Sequence, residues 1–263
     1  MDIQLTGKTI MVAAASQGIG YGIAEALAKE GARLSIASHS RDKIEEAAAT
    51  LAAQYGVECS AYVLEAADAA SVKSWCDATL SDFGSVYGLV TNAGGPPPGN
   101  FDSFDDEAWD NAYQLTLMSA VRMIRSVLPV MRQQRAGSIL TLTSSSIKEP
   151  LENLLLSNVF RSGVTALVKS LSNELGPHGV RVNNLVPGRI DSDRVRMLDR
   201  LNADKKGTTV ADEQQFQGAS IPLGTYGSIE DMGKAGAFLL SEAASYITGA
   251  TLVVDGGKTR MIF

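Results

Sequence analysis

Short apolar or β-branched runs alternate along the chain with longer stretches in which apolar residues return every three or four positions. The short runs predict strands at Thr9 to Ala14, Arg33 to Ser38, Glu58 to Leu64, Tyr87 to Thr91, Ser138 to Thr143, Arg181 to Val186 and Thr251 to Val254. Helices are predicted over Gly20 to Glu30, where Ile23 and Leu27 stand four apart and Gly31 ends the run, and over Asp42 to Ala53. A third helix is striped by Val72, Trp75, Cys76 and Leu80. A long one is predicted from about Asp105 to Arg132, with Met118, Val121, Ile124 and Leu128 on one face and a kink at Pro129. Another carries Val164, Leu167, Val168, Leu171 and Leu175.

Strands joined through helices must run parallel, by right-handed crossovers. Covering both faces of such a sheet gives a three-layer α/β/α fold with a doubly wound parallel sheet of about seven strands. No repeat, low-complexity tract or linker divides the 263 residues, so 1–263 are expected to form one domain. Ligands of such sheets lie beyond the carboxyl ends of the strands. The loops after Ala14, Ser38, Thr91, Thr143 and Val186 are therefore expected to share one crevice.

Composition narrows the classes. The formal net charge is -6 and the basic residues are scattered, which argues against a nucleic-acid surface. No run approaches the roughly 20 apolar residues of a membrane span, and Met1 to Lys8 lacks the pattern of a signal peptide. Cys59 and Cys76, the two cysteines, form no disulfide framework or zinc spacing, so no metal is expected and the expected address is cytoplasmic.

The segment from Ala14 through Ala15, Ser16, Gln17, Gly18 and Ile19 to Gly20 joins the first strand to the first helix. Small residues there let backbone approach a diphosphate, and a helix N-terminus offers unpaired N–H groups with partial positive charge. With Ala at position 14, the backbone is expected to keep φ negative there, narrowing the turn and weakening the diphosphate contact.

Four further landmarks follow in order: Thr91-Asn92-Ala93-Gly94 after the fourth strand, Gly137 to Ser144 along the fifth, Pro187-Gly188 with Ser192 after the sixth, and Asp255-Gly256-Gly257 after the last. With them the chain resembles the short-chain dehydrogenase/reductase family over essentially its whole length, and the first loop resembles the family's Thr-Gly-x-x-x-Gly-x-Gly pattern with Ala13 and Ala14 replacing its first two residues. The resemblance implies a Rossmann-like fold and a nicotinamide dinucleotide. It implies cofactor contacts at Ala14, Ser16, Gln17, Gly18, Ile19, Asn92, Ala93, Gly94, Pro187, Gly188, Ile190 and Ser192. After the second strand stand Ser38, His39, Ser40 and Arg41 with no acid to accept from a ribose 2′-OH; hydroxyls and Arg41 suit a 2′-phosphate, favouring NADP(H) over NAD(H). Glu65 aligns with the family's adenine-contacting Asp.

At the catalytic end, the family uses a Ser to hold the carbonyl oxygen, a Tyr to protonate it, a Lys to tune the Tyr and an Asn to hold a relay water. Ser144 aligns with the Ser, but Ser157 stands for Tyr, Arg161 for Lys and Thr116 for Asn. Serine is far too weak an acid to be tuned as tyrosine is, and Arg does not give up its proton. Arg161 can still donate to ribose hydroxyls. Lys148, four residues after Ser144, is a candidate alternative donor, against the plain reading of a solvated loop lysine.

Gly94 to Gly99, Lys148 to Pro150 and Leu156 to Arg161 carry a likeness to a branch similar to the β-ketoacyl-acyl-carrier-protein reductases with a degenerate tetrad. Two functions are then expected to compete: an NADP(H)-dependent oxidoreductase acting on a carbonyl, alcohol or activated alkene, and a non-catalytic dinucleotide-binding sensor or scaffold. The partner is a small-molecule substrate. The resemblance also implies a homo-oligomer, dimer or tetramer, through the helices bearing Leu115 to Met131 and Val164 to Leu175. The polar, charged segment 192–220 is read as irregular, in the position of a substrate lid.

Overall fold

A computed structural model describes residues 2–262. Seven strands form one parallel sheet: β1 (Thr9–Ala13), β2 (Arg33–Ser38), β3 (Cys59–Val63), β4 (Gly88–Thr91), β5 (Gly137–Leu142), β6 (Val180–Pro187) and β7 (Thr251–Val254). Their order is β3-β2-β1-β4-β5-β6-β7. Every pairing is parallel, and Ile10 of β1 lies against Gly88 of β4. The winding direction reverses between β1 and β4, so the crevice opens beyond the carboxyl ends of those two strands. The predicted strands are all present, and β2 and β7 match at both ends.

Two apolar clusters sandwich the sheet. On one face Ile23 and Leu27 of α1 (Gly18–Lys29), Ile44 and Leu51 of α2 (Arg41–Tyr55), and Met232 and Leu240 of α9 (Ile229–Leu240) pack with Ile10, Val12, Leu34 and Ile36. On the other, Val72, Trp75 and Cys76 of α3 (Ala69–Phe83), Met123 and Val127 of α5 (Ser119–Gln134), and Val168 and Leu175 of α6 (Leu155–Leu175) pack with Met11, Leu89, Ile139 and Val182. Strand side chains alternate between the two faces, which is why both sets are continuous and apolar.

The long predicted helix is two helices. α4 (Asp106–Tyr113) passes through a π-turn at Gln114–Met118 into α5, which then runs through Pro129 to Gln134. The break therefore lies upstream of the proline. The extra residue in the π-turn rotates the apolar phase, so the buried face is Ala120, Met123, Ile124, Val127 and Met131, while Met118, Val121 and Leu128 lie half-buried at its flank.

Segment 192–220 is not irregular. It folds into α7 (Asp193–Lys206) and α8 (Val210–Ala219). Ser192 caps the first through Val195 N, and Thr209 with Asp212 forms a capping box on the second. Buried Asp199 anchors α7 to the loop after β6: its carboxylate pairs with Arg189 and accepts from Tyr226 Oη at 3.1 Å. Among the described residues, no helix is long and apolar enough to cross a membrane.

Candidate active site

The first loop leaves β1 at Ala14, whose φ is +50°, contrary to the negative φ expected of an alanine. The reason lies in the approach of α1. A Cβ on Gly20 would stand 2.2 Å from Ala14 O and 2.9 Å from its carbonyl carbon. The turn that brings the Ala14 carbonyl against Gly20 needs the left-handed region, whichever residue occupies position 14. Ala15 N then donates to Ala37 O at 3.1 Å, tying the loop to β2. Gln17 is the N-cap of α1 and makes no side-chain cap, so the N–H groups of Gly18 and Ile19 stay available to a ligand. Gly20's missing side chain and these donors form a cradle that fits a dinucleotide diphosphate.

Beside this cradle, Ser38 ends β2 buried, its Oγ donating to Ser40 O at 3.3 Å, and His39 is exposed. Arg41 opens α2, 70% exposed and paired with Glu45 at 3.2 Å. Lys43, not singled out in the sequence, reaches Gln17 Oε1 at 3.5 Å and so joins the same pocket edge. A basic Arg41-x-Lys43 pair at the start of the helix was the available signal. Glu65 is exposed past β3, its backbone N–H donating to Ser71 Oγ at 2.9 Å.

Beyond β4, Asn92, Ala93 and Gly94 line a cavity together with Thr116 and Arg161. It has about 20 Å³ of room for water centres, enough for a single water. Thr116 Oγ1 is buried there without a hydrogen-bond partner among the described residues, at the middle of the π-turn. An orphan hydroxyl facing a water-sized space matches the position aligned with the family's Asn.

Ser144 follows β5 and caps the short turn Ser145–Ile147. Its Oγ accepts from Ser146 N at 3.2 Å, which leaves its own proton uncommitted. Lys148 ends that turn half-buried and takes part in no ion pair among the described residues. Ser157 and Arg161 lie one turn apart on α6. Arg161 Nε donates to Ser157 Oγ at 3.1 Å, and Nη1 donates to the carbonyls of Leu142 at 3.1 Å and Thr143 at 3.3 Å. The guanidinium thus ties Ser157 to the end of the strand that presents Ser144. Burial, and then the nearby Arg194, push the Arg161 pKa down to about 10.

The loop after β6 closes the crevice. Gly188 sits where a Cβ would stand 2.4 Å from Asp255 Cβ, so only glycine fits against the Asp255-Gly256-Gly257 turn. Pro187 ends β6, Ile190 is buried and bridges to Gly227, and Ser192 lies across from Gly18, about 4 Å from a Cβ built there. The landmark loops therefore converge as the sequence implied. Arg194, which the sequence reading passed over, reaches the same crevice from α7: its Nη2 donates to Pro96 O at 3.3 Å.

The sequence model described as enoyl-(acyl carrier protein) reductase matches residues 13–259. The chain is 34% identical over 253 residues to a 3-oxoacyl-(acyl-carrier-protein) reductase of Staphylococcus aureus, covering 95% of this chain and 97% of that protein. It is 32% identical over 254 residues to dehydrogenase/reductase SDR family member 4 of Sus scrofa, covering 96% of this chain and 88% of that one. Its structure superposes on the L-sorbose reductase of Gluconobacter frateurii, crystallised with NADPH and L-sorbose, with a TM-score of 0.95 at 29% identity over 100% of both chains. An alignment that spans nearly the whole chain and a common fold lead to one assignment: the chain belongs to the short-chain dehydrogenase/reductase family of NAD(P)-dependent oxidoreductases, in the branch related to the 3-oxoacyl-(acyl-carrier-protein) reductases.

Proposed function

We propose that this protein is an NADP(H)-dependent reductase of a carbonyl or activated alkene in which a Ser157–Arg161 pair replaces the family's Tyr–Lys pair. One observation carries the reading: Arg161 donates to Ser157 Oγ and to Thr143 O, so two hydroxyls with uncommitted protons, Ser144 and Ser157, are held on one charged bracket. The Gly18 and Ile19 N–H groups and Arg161 would hold a nicotinamide dinucleotide, whose chemistry when bound would be hydride donation to the substrate's electrophilic carbon. Ser144 and Ser157 donate hydrogen bonds to the oxygen on which the displaced electron pair comes to rest. The Arg161 cation stabilises that charge without giving up its own proton, and a hydroxyl proton, replaced from solvent, completes the reduction. The two N–H groups on Arg161 Nη2 donate to no protein partner among the described residues and are free for ligand oxygens, a ribose hydroxyl among them. Arg41 and Lys43 favour the 2′-phosphate of NADP(H).

NADPH consumption over a panel of ketones, quinones and enones tests this. Turnover of at least one class is expected, with Ser144→Ala lowering kcat by roughly 10²-fold, as for loss of one oxyanion donor. NADPH binding without any turnover would replace this reading with the sensor or scaffold. Lys148→Met is expected to leave turnover unchanged; a loss at this variant would make Lys148 the proton donor. A cytoplasmic homo-oligomer, dimer or tetramer, built through Leu115 to Met131 of the π-turn and α5 and Val164 to Leu175 of α6, completes the reading.

A further inference from the structure

The catalytic end of the crevice carries two guanidinium groups and no carboxylate to answer them. Neither Arg161 nor Arg194 forms an ion pair among the described residues. Their protein partners are a hydroxyl and three backbone carbonyls: Ser157 Oγ, Leu142 O and Thr143 O for Arg161, and Pro96 O for Arg194. The loop after β4 brings the two together. Arg161 lines the cavity with Gly94, and Arg194 Nη2 lies 3.2 Å from a Cβ built on the next residue, Gly95. Burial pushes the Arg194 pKa down, and burial followed by Arg194 does the same to Arg161. Two like charges held close and partly desolvated are unfavourable unless an anion joins them.

The dinucleotide's own phosphates have other hosts. The N–H groups of Gly18 and Ile19 would take the diphosphate, and Arg41 and Lys43, grouped beside that cradle through Gln17, would take the adenosine side. Arg194, by contrast, contacts the loop after β4, whose Gly99 pairs with Leu154 just ahead of Ser157. We propose that Arg161 and Arg194 form an anion clamp for the substrate, so that the enzyme takes carbonyl compounds bearing a carboxylate or phosphate close to the reacting carbon. This rests on the oxidoreductase reading above. It adds a substrate class that the fold alone does not specify, and it names Arg194 as the residue that selects it.

Calorimetric titration tests the clamp without requiring turnover. Oxamate and inorganic phosphate are titrated into the NADP⁺-loaded protein and into the free protein, with neutral oxamide as control. Binding of oxamate or phosphate but not oxamide is expected, weakened at least tenfold by Arg194→Gln and partly restored by Arg194→Lys. NADPH affinity of Arg194→Gln is expected to stay within threefold of the parent. A large loss of NADPH affinity, with no anion binding to the loaded protein, would make Arg194 a diphosphate ligand and overturn the clamp. Binding of neither anion to either form also overturns it. Anion binding to a protein that takes no NADPH would keep the clamp and instead remove the oxidoreductase reading.

Discussion

Replacing Ala14 by glycine is expected to stabilise this protein, although it removes a methyl from the edge of a core. Ala14 has φ +50°, and its carbonyl is pinned against Gly20, so the conformation cannot relax to negative φ. Holding a non-glycine residue there costs roughly 1–2 kcal/mol. Glycine removes that cost but brings an unfolded chain with more conformations, offsetting about 0.4–1 kcal/mol. The net gain is about 0.5–1 kcal/mol, which for a domain of this size raises Tm by about 1–4 °C. Ala14 is half-buried, so the lost methyl forfeits little packing. Thermal melts of ligand-free parent and Ala14→Gly, followed by circular dichroism at one pH, measure the difference. A fall in Tm would refute the reasoning, because it would mean that the loop does not use the left-handed region at this residue.

Gly20→Ala is expected to act in the opposite sense: its Cβ meets the Ala14 carbonyl, both partners are backbone, and a shift of the loop costs about 1–3 kcal/mol, seen as a roughly tenfold or greater loss of NADPH affinity by fluorescence titration. Asp199→Ala leaves Arg189 mostly buried and unpaired, at a cost of about 3–5 kcal/mol, and is expected to raise hydrogen exchange across α7 and α8 more than across the sheet. Glu242 accepts from Lys8 Nζ at 2.7 Å and from Tyr87 Oη at 3.0 Å. The Lys8 hydrogen bond holds its carboxyl below the ordinary 4.5, with burial opposing. A depressed carboxyl contributes stability above its unfolded pKa and loses it as pH falls through the folded value. Glu242→Gln is therefore expected to lower Tm at neutral pH and to converge with the parent well below pH 4.5, as melts across pH would record.

Much of the scaffold could be read along the chain because burial on both sides makes strands into short apolar runs, as in β1, where Ile10 to Ala13 are all apolar and buried. Elements shaped by tertiary contact were harder. The π-turn at Gln114–Met118 leaves no periodic trace; it merely moves the buried phase onto Ala120 and Met123, two positions that a strict 3.6 repeat from Met118 misses. α7 hides because its inward face is Asp199 and Ala203 rather than a leucine stripe, and α8 buries Glu213 and Gly218. Their caps, Ser192 and the Thr209–Asp212 box, were the readable sign. So was the Ser228–Asp231 box before α9, which the apolar pattern also passed over. Within the candidate site, Ser144, Ser157, Arg161 and Thr116 could be named as candidates because the family spacing runs along single elements and the short turns beside them. Lys43 was signalled only by its spacing from Arg41, and Arg194 not at all, because it reaches the crevice from α7, whose approach only the folded chain determines.

Direct titration of the purified protein with NADPH and NADH, by quenching of tryptophan fluorescence or by calorimetry, bears most closely on the whole account. Saturable binding of NADPH at one site per chain, tighter than that of NADH and weakened by Gly20→Ala, is the result the crevice predicts. No measurable affinity for either coenzyme would contradict it.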